Sequence, residues 1–221
     1  LWNSLPGTQK EGEYIAQITN AKLLLGDEAS SINIQNTQSP KILHIATHSF
    51  YMTNNSKDDI FASILFSGSE TENIKKLENP LLRSGIVLAG ANNPDKNIYD
   101  DGYLTALEVS KLNWNNTELV VISGCESGQG EIKAGEGVYG LKRAIAVAGA
   151  RSSLLSLWKV DDRATAEFME TFYKKLKNGE GRADALAKTQ KEFRRHSIQA
   201  WRHPYVWAAF QLTGDWRPIN W

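Results

Sequence analysis

An apolar run that ends in a glycine-rich turn constrains this chain more than any other feature. A strand is predicted over residues 118–124, with Leu-Val-Val-Ile at 119–122, and it leads into Gly-Cys-Glu-Ser-Gly-Gln-Gly at 124–130. An alanine-rich segment with helical spacing follows at 135–149. Because strands that are apolar on both faces are typical of parallel sheets covered by helices, the pattern predicts a strand, a tight turn and a helix of a βα unit.

The rest of the chain continues this alternation. Further strands are predicted over residues 42–48, 60–66, 85–88, 152–158 and 208–213. Helices are predicted over residues 9–19, 161–176 and 183–195, a short helix capped by Asp27, and a short helix that begins with a Thr105–Glu108 capping box. The alternation predicts an α/β fold with a mainly parallel sheet, in which ligands bind beyond the carboxyl ends of the strands.

Charge and cysteine content narrow the function classes. Lys and Arg total 25, as do Asp and Glu, so charge indicates neither nucleic acid nor a membrane surface as partner. The apolar runs are far shorter than the roughly 20 residues of a membrane span. The single cysteine cannot form an internal disulfide, which favours a reducing, cytoplasmic setting. Leu1 is not an initiator residue and follows no leader, which indicates a processed end or a boundary within a longer chain.

Cys125 has two interpretations. A lone cysteine is usually a small buried hydrophobe. Here its neighbours are Gly124, Glu126 and Ser127, a poor apolar environment, and it follows a predicted strand in a turn that can expose the side chain. The position therefore favours a nucleophile.

A thiol nucleophile needs a base, and the chain has four histidines. His48 closes the predicted strand 42–48, whereas His44 lies deeper in it and is expected to satisfy a hydrogen bond near the core. His196 and His203 fall in or after a predicted surface helix. His48 is therefore the predicted base. No histidine or cysteine cluster has metal-ligand spacing and no phosphate-binding loop is present, so no metal or cofactor is predicted.

Five motifs together resemble the CHAT domain, a caspase-like peptidase family that is associated with tetratricopeptide repeats and related to separases. They are His-Ile-Ala-Thr-His48-Ser-Phe, Val-Val-Ile-Ser-Gly-Cys125-Glu-Ser-Gly, Gly135-Glu-Gly-Val-Tyr-Gly, Ala148-Gly-Ala-Arg and Leu157-Trp-Lys-Val-Asp-Asp162. The similarity runs from about residue 5 to 214. It implies a three-layer α/β/α sandwich with about six central strands in one domain over 1–221, comprising an N-terminal edge unit (1–40) and a catalytic core (41–214). It also implies a repeat region upstream.

The resemblance implies roles for individual residues. Cys125 matches the family nucleophile and His48 the family histidine, while backbone N–H groups at Ser49, Gly124 and Cys125 would hold an oxyanion. One departure is Ser49, because the family usually has glycine after the histidine. The oxyanion turn must then accommodate a side chain.

Two roles are open for Asp161 and Asp162. In separases an acid at the matching strand end grips a basic residue before the scissile bond, which implies that Asp162 selects Arg or Lys. Alternatively, either aspartate caps the helix that follows. Glu126 and Glu131 are interpreted as solvated loop acids. Trp158 and the other tryptophans are interpreted as residues that pack in the core. A C-terminal group has the alternative of a docking surface for the upstream region; it consists of Trp201, Trp207, Trp216 and Trp221.

The implied function is a cysteine endopeptidase that cleaves a protein substrate and is controlled by a partner or the upstream repeats. One alternative is a catalytically silent interaction module. Another is a Cys-dependent hydrolase or amidotransferase with a nucleophile elbow, but Ser123 and Ser127 occupy the places where that turn needs glycine.

Overall fold

A four-stranded sheet lies at the centre of the fold. The structure is a computed structural model that describes residues 2–51, 79, 81–93, 100–124 and 134–221, with only the backbone for 134–138. In these ranges the strands are β1 (Ile42–Ile45), β2 (Ser49–Tyr51), β3 (Ser84–Val87), β4 (Tyr103–Thr105), β5 (Leu119–Ile122), β6 (Ser152–Ser156) and β7 (Phe210–Gly214). The α-helices there are α1 (Pro6–Thr19), α2 (Ser31–Gln35), α3 (Ala106–Val109), α4 (Ala134–Val147), α5 (Asp162–Lys177), α6 (Arg182–Phe193) and α7 (Pro204–Trp207).

The central sheet has the order β1-β5-β6-β7, in which β1, β5 and β6 are parallel and β7 is antiparallel to β6. Ile45 lies opposite Ile122, so β1 and β5 end at the same edge. The predicted mainly parallel sheet is therefore confirmed. The strand predicted at 60–66 lies outside the described residues.

Helices cover both faces of this sheet because the side chains of β5 alternate between two cores. Leu119 and Val121 pack with the apolar faces of α1, α5 and α6. Val120 and Ile122 pack in a second core with residues of α3 and α4. These three layers agree with the predicted α/β/α sandwich.

A second, antiparallel sheet of β2, β3 and β4 was not predicted. The expected strand over 42–48 ends at Ile45, and the chain then turns so that Ser49 begins β2 opposite Ile86. The strand predicted over 85–88 is β3, which belongs to this second sheet. Two of its strands have only three residues, too few for their own periodicity to show.

The predicted helix signals have mixed outcomes. The Thr105–Glu108 capping box is present at the start of α3. Asp27 is not a helix cap: it lies inside a 3-10 turn, Gly26–Glu28, which Gly26 enters with a φ of +55°. The following helix, α2, is capped instead by Ser30, whose side chain accepts a hydrogen bond from the Asn33 N–H.

The C-terminal tryptophans divide into two kinds. Trp201 is buried in the core, as expected. Trp216 is 63% exposed and Trp221 40% exposed, so the packing interpretation is wrong for Trp216. The reason is that the backbone holds this segment: the carbonyl groups of Trp216 and Arg217 accept hydrogen bonds from the first N–H groups of α6, and the indole is left outside.

Among the described helices, none combines the length and the apolar character that a bilayer span requires.

Candidate active site

The carboxyl ends of β1 and β5 come into direct backbone contact. The Ser123 N–H donates to the Ile45 carbonyl group at 3.2 Å. Gly124 then lies so close to the other chain that an added Cβ would be 1.1 Å from the Thr47 carbonyl oxygen and 3.2 Å from the His48 nitrogen. Only glycine permits this approach of two backbones. The residue before Cys125 is therefore packed against the peptide group of His48.

His48 lies three residues beyond β1 and is 9% exposed. Its Nε2 is 2.7 Å from the carbonyl oxygen of Asn3. Since a carbonyl oxygen only accepts, Nε2 must carry the proton of this bond. In the neutral ring Nδ1 is then the basic nitrogen, which is the state that a proton acceptor requires.

Residues 2–5, here called the N-terminal strap, lie against the side chain of His48. The indole of Trp2 lies with its ring centroid 5.4 Å from that of the imidazole. Just beyond the strap, in the first turn of α1, the Gly7 N–H donates to Asp162 Oδ2. The strap thus supplies a hydrogen-bond acceptor and an aromatic neighbour to the histidine.

His44 has a different environment. Its Nε2 is 2.6 Å from Glu11 Oε1 and its Nδ1 is 3.0 Å from the Tyr173 hydroxyl oxygen. The side chains of His44 and Glu11 are 9% and 0% exposed. Burial raises the pKa of Tyr173 well above its ordinary value, and the nearby Glu11 raises it further. The prediction that His44 satisfies hydrogen bonds near the core is confirmed.

Ser49 adopts an extended backbone in β2 and is not among the residues with positive φ. Serine is therefore accommodated without strain at the position where glycine was expected. Since the His48 carbonyl accepts from the Val87 N–H, the alternation of an antiparallel pair turns the Ser49 N–H away from β3. This N–H points away from its partner strand.

The two aspartates after β6 have separate contacts. Asp161 is the N-cap of α5, and its Oδ1 accepts from the Ala164 N–H at 3.0 Å. Asp162 accepts instead from Gly7, in α1. Burial raises the pKa of Asp162 above its ordinary value. The hydrogen bond from the Gly7 N–H lowers this pKa, the charge of Glu11 raises it, and the charge of His48 lowers it. The capping alternative thus applies to Asp161, and Asp162 lies near the histidine.

The other histidines lie on the surface side of the fold. His196 Nε2 is 2.6 Å from Glu167 Oε1, and the ring is close to Trp201. His203 is exposed and caps α7, accepting from the Tyr205 N–H. Both histidines follow the end of α6, in agreement with their predicted position in or after a surface helix.

Cys125, Glu126 and Glu131 lie outside the described residues, so their predicted roles remain predictions. The structure brings His48, Gly124 and Asp162 to one edge of the sheet. The strap is what the sequence did not reveal. Asn3 acts through a main-chain carbonyl, which leaves no side-chain signature, while Trp2 was one of seven tryptophans without a distinguishing pattern.

Comparison with known proteins identifies the class. The chain belongs to the CHAT domain family, whose model matches residues 1–215. It is similar to tetratricopeptide repeat protein 28 of Homo sapiens, with 29% identity over 227 residues, and of Mus musculus, with 27% identity over 228 residues. Both alignments cover 100% of this chain and 9% of the relative, so the chain spans less than a tenth of the length of those proteins. The predicted membership of the CHAT family is confirmed, as is the likeness to proteins that carry tetratricopeptide repeats.

Proposed function

We propose that this CHAT domain is a cysteine endopeptidase with Cys125 as nucleophile and His48 as general base. The observation that carries the proposal is the contact of Gly124, the residue before Cys125, with the Thr47–His48 peptide group. It brings the chain that leads to the thiol next to a histidine whose Nε2 is bound to a main-chain carbonyl. Neither contact is needed for a cysteine that only fills space.

The reaction follows from the histidine tautomer. Nδ1 of His48 accepts the thiol proton, and the thiolate attacks the carbonyl carbon of the scissile peptide bond. The imidazolium keeps its Nε2–H bond to Asn3, returns the proton to the departing amine, and leaves a thioester on Cys125. Water then attacks the thioester with His48 again as base, which releases the acid and restores the thiol. No cofactor takes part.

The oxyanion of each tetrahedral intermediate would be held by backbone N–H groups. Ser49 supports this role because its N–H turns away from β3 and its backbone is unstrained. The N–H groups of Gly124 and Cys125 complete the proposed set. A carboxylate at Asp162 would accept a substrate Arg or Lys before the scissile bond, since one of its oxygens is used by Gly7 and a carboxylate has two.

The physiological setting is part of the proposal. The chain would act on a protein substrate in the cytoplasm, where a thiol stays reduced. A tetratricopeptide-repeat region or another regulatory partner would control it, and the support for this is the name of the relatives.

The direct test combines a peptide substrate with Arg before the cleaved bond and an electrophilic peptide probe for the thiol. We expect cleavage and labelling by the natural chain, and neither by Cys125→Ala. We expect His48→Ala to lose at least about 100-fold of the rate, the lower end of what a general base supplies. His203→Ala is the matched control because His203 is an exposed histidine of a surface cap.

Cleavage that persists in Cys125→Ala would rule the proposal out. An inert Cys125, with candidate repeat-region partners present, would instead support the catalytically silent interaction module. Substrate choice is tested separately: Asp162→Ala should lose turnover of Arg peptides much more than of neutral ones. Asp184→Ala, an exposed first-turn aspartate of α6, should change neither.

A further inference from the structure

Asn92 contacts the N-terminal strap at two points. The Trp2 backbone N–H donates to Asn92 Oδ1 at 2.7 Å, and Asn92 Nδ2 donates to the Trp2 carbonyl at 3.0 Å. One side-chain amide thus pairs with both backbone groups of one residue, as a neighbouring strand would. This pairing fixes the direction of the peptide group that leads to Asn3.

The loop that carries Asn92 is itself held in place. Gly102 has a φ of +78°, and a Cβ there would lie 2.0 Å from the Ala91 nitrogen, so the two backbones pack directly together. The Leu88 N–H donates to the Gly102 carbonyl and the Asn93 N–H to the Gly90 carbonyl, both at 2.7 Å. The backbone on both sides of Asn92 is therefore held by hydrogen bonds within the loop.

The side chain of Trp2 anchors the strap on the same side. Its Nε1 donates to the Tyr103 hydroxyl at 3.0 Å, and that hydroxyl donates to the Ala91 carbonyl at 3.3 Å. Asn92 and Tyr103 thus hold the backbone and the indole of one residue. The carbonyl of the next residue, Asn3, accepts a hydrogen bond from the His48 Nε2–H at 2.7 Å.

We infer that Asn92 is a positioning residue for His48: its two bonds to Trp2 hold the Asn3 carbonyl against Nε2 and keep Nδ1 as the basic nitrogen. The inference rests on the proposed function for its effect on catalysis, but not for its effect on the ring. Asn92 is exposed and acts only through the strap. Removing the two hydrogen bonds between Asn92 and Trp2 should therefore change the tautomer of His48 while the two hydrophobic cores stay packed.

The test measures the His48 tautomer by nitrogen-15 NMR of the 221-residue chain with labelled histidine, and the labelling rate of Cys125 by an electrophilic peptide. Asn92→Ala removes both contacts. Asn92→Asp keeps an acceptor for the Trp2 N–H but cannot donate to the Trp2 carbonyl. Asn93→Ala is the matched control, an exposed neighbour in the same loop.

In the natural chain we expect the Nε2–H tautomer to dominate. Both Asn92 variants should gain the Nδ1–H form. Asn92→Asp, which loses one hydrogen bond, should lose about tenfold in labelling rate, and Asn92→Ala, which loses two, at least as much. For peptide cleavage the loss should fall on kcat and leave KM nearly unchanged, since Asn92 does not touch the substrate. Asn93→Ala should match the natural chain, and all variants should keep its far-UV spectrum.

The inference is overturned if the Asn92 variants keep the tautomer of the natural chain. It is also overturned if the tautomer changes while Cys125 reacts at the natural rate. If Cys125 is inert in the natural chain but the tautomer responds to Asn92→Ala, the positioning of His48 stands and the proposed peptidase function fails. The two ideas therefore fail on different measurements.

Discussion

His44 and His48 are only four positions apart in the sequence, yet they have opposite kinds of environment. His44 lies within β1, and side chains bind both of its ring nitrogens. His48 lies past the strand end, and a main-chain carbonyl binds its Nε2. A buried histidine whose two ring nitrogens are both hydrogen-bonded to other side chains has neither nitrogen available to take a proton from a substrate. The comparison teaches that a shift from the middle of a strand to its end separates a structural histidine from the one proposed as the catalytic base.

The largest expected effect comes from removing the second of these histidines. His48→Ala should lower the rate of peptide cleavage by at least about 100-fold. The loss of its hydrogen bond to Asn3 should contribute about 1 kcal/mol to the accompanying fall in the free energy of unfolding. Urea unfolding and cleavage rates measure the two quantities. A large loss of stability with little loss of rate would reverse the contrast with His44.

Removing the partner of the first histidine should affect stability instead. Glu11→Ala leaves a buried nitrogen of His44 without the carboxylate to which it is hydrogen-bonded, and such a buried polar group without its charged partner costs about 3 kcal/mol. For a chain of this size that corresponds to a melting temperature about 6–12 °C lower. Glu13→Ala is the control, since Glu13 is exposed and its carboxylate accepts a hydrogen bond from the side chain of Gln9 on the same helix. Equal melting temperatures for the two variants would contradict the prediction.

The contact between the two strand ends can be broken at Gly124. Gly124→Ala places a Cβ against the Thr47 carbonyl, so the backbone must move, at a cost of about 1–3 kcal/mol. Both stability and Cys125 labelling should fall. In Gly12→Ala the added Cβ meets only Leu23, at 3.0 Å, so this helical variant should be close to neutral. Normal labelling in Gly124→Ala would show that the approach of the strands is dispensable.

The smallest effect concerns the charge of Asp162 beside His48. Its raised pKa means that the folded chain binds the proton more tightly than the unfolded chain, so ionisation lowers stability as pH rises above the ordinary value of 3.8. Asp162→Asn should therefore be slightly more stable at pH 7, by less than about 1 kcal/mol because water screens the group. Below that value the two proteins should converge.

Thermal unfolding from pH 3 to pH 7 measures this difference. Asp161→Asn is the control, since asparagine caps helices as well as aspartate does. If the difference in stability between the natural chain and Asp162→Asn grows towards acid pH, the pKa of Asp162 is not raised in the folded chain and the prediction is wrong.

The sequence predicted what depends on local patterns. The apolar run at 119–122, the Thr105–Glu108 capping box and the position of His48 relative to His44 could all be read from neighbouring residues. The β2-β3-β4 sheet could not, since its short strands are defined by pairing between distant segments. Asn3 was missed because any residue has the carbonyl that it uses. Trp216 was misjudged because hydrogen bonds of the backbone, not its indole, fix its segment.

The strap also bears on how preparations of this domain should be compared. A fragment cut at residue 41, where the core sheet begins, would lack Glu11 and expose the face that α1 covers. One that starts at Pro6 would keep both cores and both histidines but lose the Asn3 carbonyl. Two preparations with different first residues would then show unequal rates although both are folded, and the difference would come from the strap, which belongs to no helix or strand.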